Sequence, residues 1–340
     1  MSARLAFVAA GCVAAGCVVA HAAAPAPVPE TMLAAAIDHG GGPEVLTLHH
    51  LPVPRPAAGE VLIAVQAAGV GPWEADSREH PGDDAKFPHV LGADGAGTVA
   101  ALGPGVHGLR VGDAVYAVGH GFYAEYAVAR ATDTAAVPKG LDMQRAGLLP
   151  ISGLSALQGI DDVLQVKAGE KLVIHGATGG VGTLAIQFAK WRGAHVLATA
   201  ASDEGVALAR RLGADEAING RTEDVAAAVR KFAPGGVDAV LALAGGDTLE
   251  RILPTLRSDG RGREAYLYGI DHLPPAQFGV RSTVYSFVSG TRELRRLNEA
   301  VIATHAEVPI AAEFPLADAA GAHRRLAAGH LLGKILLRTR

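Results

Sequence analysis

Residues 171–182 read KLVIHGATGGVG. Leu172, Val173 and Ile174 form a short apolar strand, and Gly176, Gly179, Gly180 and Gly182 form a turn of small residues. A helical pattern follows from Thr183, with Ala185, Ile186, Ala189 and Trp191 on or near one face. A strand that turns through glycines into a helix is suited to hold a diphosphate. Unpaired amides at the helix N-terminus point at the anion, and the helix dipole favours negative charge there. Glycine is needed where a Cβ would block the backbone's approach to phosphate, or where the turn requires positive φ. The spacing departs from the usual G-x-G-x-x-G. Glycine is common in this chain, with 43 in all, so the order strand, turn, helix carries the reading. Valine at Gly180 or Gly182 is expected to fill diphosphate space and abolish dinucleotide binding.

The elements that position this turn fall into two groups. Beyond Leu141, strand-like runs at 172–175, 195–200, 216–219, 238–243 and 265–268 alternate with helical runs at 204–212, 224–232 and 248–256. That rhythm predicts a mostly parallel, doubly wound sheet with helices on both faces. Before it, apolar runs at 32–37, 45–48, 60–68, 90–102, 111–118 and 122–128 are punctuated by glycine and proline. Many short strands and little helix predict a compact β-barrel-like domain up to about Pro138. A last helix over 316–328 and the strand LLGKILLRT have no place in the parallel sheet, so they are expected to return to the first domain.

Composition narrows the partners. The 340 residues suffice for two domains, and a formal charge of −4 without a basic, aromatic-interleaved stripe excludes a nucleic-acid partner. At the N-terminus, Arg4 precedes an apolar run to Ala20, then Ala20-His21-Ala22 and APAPVP. This predicts a signal peptide over 1–22, cleaved after Ala22 and too short for a membrane span, so the mature chain is expected to have none. The alternative is a start near Met32. The chain would be periplasmic or secreted with a working leader and cytoplasmic without one. Cys12 and Cys17 both lie in this run, so the body has no cysteine.

In joint order, GPEVL from Gly42, GADGAGTVAALGPGV from Gly92, VGDAVYAV from Val111, ISGLSAL from Ile151, HGATGGVG, LGADEAIN from Leu212, AGGDTLE from Ala244 and GHLLGKILLR from Gly329 resemble the zinc-independent quinone oxidoreductase branch of the medium-chain dehydrogenase/reductase superfamily. The resemblance spans 33–340. It implies a GroES-like β-barrel catalytic domain over 31–150, completed by 300–340, and a Rossmann cofactor domain over 151–299. It also implies a nicotinamide cofactor between them, a small-molecule quinone or enone substrate, and often a homodimer. On the cofactor side it points to Gly176, Ala177, Gly179, Gly180, Val181, Gly182, Ala244, Gly269 and Lys334.

Zinc relatives need Cys, His and acidic ligands. This body lacks cysteine and has Gly92-Ala93-Asp94 where the zinc branch has a His-Glu pair, so no metal is expected. On the substrate side, relatives commonly carry Asn-Pro-x-Asp; here stand Gly71-Pro72-Trp73-Glu74. A downstream tyrosine of several relatives is also missing, with Phe87 the nearest aromatic. Trp73 walls an apolar substrate pocket or is plain core. Glu74 either pairs with Arg78 four residues on or serves the site. Ser155 stands where relatives have a threonine near the nicotinamide carboxamide, or is a helix-start hydroxyl.

The second parallel strand ends Thr199-Ala200-Ala201-Ser202, with no acid before Asp203. A carboxylate there would bind the ribose hydroxyls of NADH and repel a 2′-phosphate, so its absence favours NADPH, with Ser202 and Arg221 as phosphate partners. Three classes stay open: a quinone or enone reductase, a reductase or dehydrogenase of another carbonyl or enoyl substrate, and a non-catalytic dinucleotide-binding protein.

Overall fold

The computed structural model describes residues 27–270 and 279–340; the leader reading for residues 1–22 lies outside the described residues. The first unit contains β1 (Thr31–Ile37), β2 (Thr47–Pro52), β3 (Glu60–Val70), β4 (His89–Val90), β5 (Asp94–Leu102), β6 (Ala114–Val118), β7 (Tyr126–Arg130) and β8 (Thr134–Ala136). Helix α1 (Pro72–Glu79) leaves β3 directly, and α2 (Met143–Leu148) and α3 (Pro150–Gln158) lead into the second unit. The strand-like run over 90–102, whose glycines are expected to bend it, is broken at Gly92, whose φ of +100° an L-residue rarely adopts. The break aims Asp94, at the start of β5, into the molecule, where it is fully buried.

The second unit is a six-stranded sheet of β9 (Lys171–His175), β10 (His195–Ala200), β11 (Glu216–Asn219), β12 (Ala239–Ala242), β13 (Gly262–Leu267) and β14 (Val280–Tyr285). Every pairing is parallel and the spatial order is β11-β10-β9-β12-β13-β14. The order reverses between β9 and β12, so a crevice opens at their C-terminal ends. Residues 172–175 of β9 and all of β12 are buried, as continuous apolar runs in a sheet covered on both faces must be. Between the strands lie α4 (Gly180–Trp191), α5 (Asp203–Arg211), α6 (Val225–Phe232) and α7 (Asp247–Ile252).

Helix α4 begins three residues earlier than the apolar pattern predicts, because Gly179, at φ −77° and ψ 178°, caps it without a side chain. Trp191, expected on its apolar face, is 39% exposed and stacks under Arg192 instead.

After β14 the chain forms α8 (Thr291–Thr304), which presents Leu294, Leu297 and Val301 to the core. It then returns to the first unit as β15 (Ile310–Pro315), α9 (Ala319–Ala327) and β16 (Lys334–Arg338). Strand β16 pairs antiparallel with β3, matching Ile335 to Val70 and Leu337 to Ala68, and so sits inside a seven-stranded sheet. Among the described residues no helix is long and apolar enough to cross a membrane.

Candidate cofactor and substrate cleft

The turn between β9 and α4 uses its glycines in different ways. Gly176 has φ +77°. Gly182 packs against protein: a Cβ there would lie 2.5 Å from the Gly176 carbonyl oxygen and 2.6 Å from Ala177 Cα. Gly179 is the open one, since a Cβ there would meet nothing nearer than the Gly176 carbonyl oxygen at 3.9 Å. The amides of Val181 and Gly182 find no hydrogen-bond acceptor among the described residues, while the Gly180 amide faces the Gly333 carbonyl across the parallel bridge of Gly179 with Gly333. Helix geometry leaves such donors orphaned unless a cap or a ligand takes them. The expectation that Gly182 spares diphosphate space is therefore corrected: its missing side chain lets helix and turn approach each other, and the free volume lies at Gly179.

This turn forms one wall of a cleft between the two units. Val70, Pro72 and Trp73 come from the barrel side, Leu243 and Leu267 from the ends of the parallel strands, and Leu326 and Leu331 from the returning C-terminal segment. Ser152 and Lys334 stand at the cradle itself. Lys334, 4% exposed, donates to both oxygens of fully buried Asp94 at 2.9 and 2.8 Å. Its ammonium also lies 5.0 Å from the centre of the Trp73 ring. Asp94 in turn accepts the Ile151 amide at 3.0 Å, which fixes the start of α3. The cleft wall is joined to the cradle by one more contact, as the Gly333 amide donates to the Thr178 carbonyl at 2.8 Å.

Glu74 lies behind Trp73. Its carboxyl accepts the Gly71 amide at 2.8 Å and the Ala93 amide at 3.0 Å. It does not pair with Arg78. That arginine is turned to the Gly41 carbonyl and to His323, so the i,i+4 reading gives way to contacts from distant segments. Burial pushes Glu74 up to about 8, with Asp94 adding to the shift and Lys334 and the two amides opposing it. Glu74 lines a smaller cavity with Ser77, His89 and His120, which shares Trp73 with the main cleft.

A further cavity lies over the other end of the crevice, lined by Thr199, Ala200, Ala201, Arg221, Ala244 and Arg251 among others. No carboxylate stands at positions 199–202. His175 forms part of its floor; Nδ1 is 2.8 Å from Thr199 Oγ1, and burial lowers its pKa.

Of the residues singled out from sequence, Gly176, Gly179, Gly180, Val181, Gly182, Trp73 and Lys334 meet in the main cleft, and Arg221 and Ala244 in the cavity beyond. Ala177 is fully buried beneath the turn. Ser202 lies just past β10, its oxygen capping α5 through the Gly205 amide at 3.1 Å. Gly269 follows β13 at φ +95°, outside both linings. Ser155 is not a helix-start hydroxyl: it is buried in the middle of α3 and its carbonyl accepts the Tyr285 hydroxyl at 3.0 Å. Ser152, one turn earlier, is the serine in the cleft, and sequence reasoning passes over it together with Asp94 and Arg251. Among the described residues no group of three or more His, Cys, Asp or Glu is placed to hold a metal ion.

Family models agree with this architecture. The one for the zinc-binding dehydrogenase matches residues 180–283, and the one for the alcohol dehydrogenase GroES-like domain matches 57–139. Quinone oxidoreductase of Rattus norvegicus is 31% identical over 320 residues, covering 90% of this chain and 97% of the relative. A 2-haloacrylate reductase of Burkholderia sp is 31% identical over 329 residues, covering 90% and 98%. Among solved structures, a mycobacterial protein complexed with NADPH aligns at TM-score 0.81 and 30% identity, covering 90% of this chain and 99% of that one. An NAD-dependent alcohol dehydrogenase aligns at TM-score 0.83 and 31% identity with the same coverage. The chain belongs to the medium-chain dehydrogenase/reductase superfamily, in its quinone oxidoreductase-like branch.

The two kinds of glycine should respond differently to substitution. Gly179→Val, at a backbone conformation valine tolerates, should leave the fold intact and abolish dinucleotide binding. Gly182→Ala should instead lower the melting temperature, because it drives backbone apart. Thermal unfolding and NADPH titration of both variants separate these outcomes; a Gly179→Val protein that binds normally contradicts the assignment of the open volume. Glu74 gives a pH dependence. The folded state keeps Glu74 protonated between about 4.5 and about 8, where an unfolded glutamate has lost its proton. Its contribution is therefore complete below pH ~4.5 and is lost as pH rises through ~8. Glu74→Gln, neutral at every pH, should flatten this decline in urea unfolding between pH ~5 and ~8; equal slopes in both proteins would contradict it.

Proposed function

We propose that this chain is an NADPH-dependent reductase that delivers hydride to a quinone or another α,β-unsaturated carbonyl without a metal. The observation that carries the reading is a cradle of unpaired amides opening into a cleft whose other walls are apolar. The relatives add support, one a quinone oxidoreductase and one a reductase of 2-haloacrylate. When bound, the nicotinamide supplies the hydride.

The chain's own residues bind, orient and exclude water. The amides of Val181 and Gly182 would hold the diphosphate at the N-terminus of α4, with the Lys334 stem flanking it. Arg221 and Arg251 flank the place where a 2′-phosphate would sit, and the Ser202 hydroxyl keeps a proton to donate there. The missing carboxylate at the end of β10 favours NADPH over NADH. Leu243, Leu267 and Val181 keep water from the nicotinamide. Trp73, Leu326 and Leu331 form an apolar seat for an uncharged planar acceptor. These residues would hold the nicotinamide and the acceptor against each other by binding alone, and such positioning accounts for much of a catalyst's work when no Lewis acid assists. The proton that completes the reduction comes from solvent.

The reading also includes a homodimer. Among the described residues, strand β14 is a free edge of the parallel sheet, with Val284 on it 48% exposed and Val288 just past it 62% exposed, and a second copy would cover it.

Following nicotinamide absorbance with a panel of quinones and enones should reveal turnover with NADPH. Arg221→Ala and Arg251→Ala should each raise KM for NADPH about tenfold, the size of one ionic contact to phosphate, and leave KM for NADH unchanged. A wild-type preference for NADH reverses the cofactor reading; tight binding without turnover on any acceptor favours a non-catalytic binding protein. Sedimentation should give twice the chain mass, and a monomer at micromolar concentration contradicts the dimer.

A further inference from the structure

Ser152 stands in the first turn of α3 and is 1% exposed, yet its hydroxyl has no hydrogen-bond partner among the described residues. A helical serine usually satisfies itself on a carbonyl one turn back. This one does not, and buried polar groups left unpaired in a native fold call for a reason, a ligand among them. Its position supplies one. A Cβ on Gly180 would lie 3.0 Å from Ser152 Oγ on one side and 3.3 Å from Lys334 Cβ on the other. The hydroxyl and the lysine stem therefore flank the first residue of α4, next to the unpaired amides of Val181 and Gly182.

The placement is fixed rather than incidental. The Ile151 amide, next to Ser152 in the chain, is held by Asp94 at 3.0 Å, and the same carboxylate holds Lys334 at 2.8 and 2.9 Å. One buried acid thus sets both flanks of the cradle. What gathers there is the pair of unpaired amides of Val181 and Gly182 and the Ser152 hydroxyl, with the Lys334 stem alongside and its ammonium held by Asp94. At a helix N-terminus, whose dipole favours negative charge, a phosphate oxygen with several lone pairs answers such donors.

We propose that the Ser152 hydroxyl donates a hydrogen bond to a diphosphate oxygen of the bound dinucleotide, completing the anion cradle from the α3 side. The proposal rests on the dinucleotide reading given above, and its test separates the two. Fluorescence titration of the full chain with NADPH, NADH and adenosine 2′-monophosphate would be run on wild type and on Ser152→Ala, with melting temperatures of both without ligand. Whichever dinucleotide the wild type prefers, Ser152→Ala should raise its Kd about tenfold, as expected for one hydrogen bond to a charged oxygen. Binding of the monophosphate, which has no phosphate at the 5′-oxygen, should be unchanged. The ligand-free melting temperature should not fall, since the hydroxyl makes no bond within the protein. Ser152→Thr, which keeps the hydroxyl, should recover most of the affinity. An unchanged dinucleotide Kd in Ser152→Ala overturns the proposal, as does an equal loss for the monophosphate or a lowered melting temperature, either of which would mark a structural role. A wild-type preference for NADH would overturn only the choice of cofactor, and no binding of either dinucleotide would overturn both.

Discussion

The arrangement of the cleft depends on one buried ion pair, Asp94 with Lys334. Removing both charges from water costs several kcal/mol per ion, and such pairs rarely add to net stability. What this one adds is position. Asp94 opens β5, Lys334 opens β16, and the remaining acceptor capacity of the carboxylate ties down the Ile151 amide at the head of α3. The space for the pair exists because Gly69 on β3 has no side chain; a Cβ there would collide with the Lys334 ammonium and come within 2.5 Å of Asp94 Oδ1. Glu74 is the second acid at this centre. It stays neutral because burial penalises its charge, and because a second anion beside Asp94 would have only one lysine to share.

The same pair explains why the end of the chain returns to its beginning. Strand β16 must lie beside β3 for Lys334 to reach Asp94, and in doing so it draws residues 326–333 over the mouth of the cleft. Gly333 reaches the glycine turn, donating its amide to Thr178. The cradle is thus built on the parallel sheet but braced from the barrel, so that a ligand held by one unit contacts side chains of both.

Legibility in the sequence follows the range of the interactions. The strand, turn and helix around Gly176–Gly182 are set by neighbouring residues, and the run of apolar positions and glycines displays them. The parallel strands at 195–200 and 216–219 are equally local, and their bounds match. Lys334 and Asp94 are 240 residues apart, and no local pattern joins them. The choice between Ser152 and Ser155 is hidden for another reason. All nine residues of α3 are buried, so the helix carries no polar stripe to reveal which serine faces the cleft. Gly182 reads like a ligand-clearing glycine until the return of the Gly176 carbonyl beneath it is seen. Strand β14, reading VRSTVY at a sheet edge, lacks the buried run that marks its neighbours.

The central claim is that the amides of Val181 and Gly182, at the head of α4, grip a diphosphate at the mouth of an apolar cleft. A crystal structure of the chain with NADPH tests it most directly. The account predicts diphosphate oxygens within hydrogen-bonding distance of those amides, beside Ser152 and Lys334, with the nicotinamide turned toward Trp73. Dinucleotide bound elsewhere, with the cradle closed by Leu326, Leu331 or other protein atoms, would contradict it.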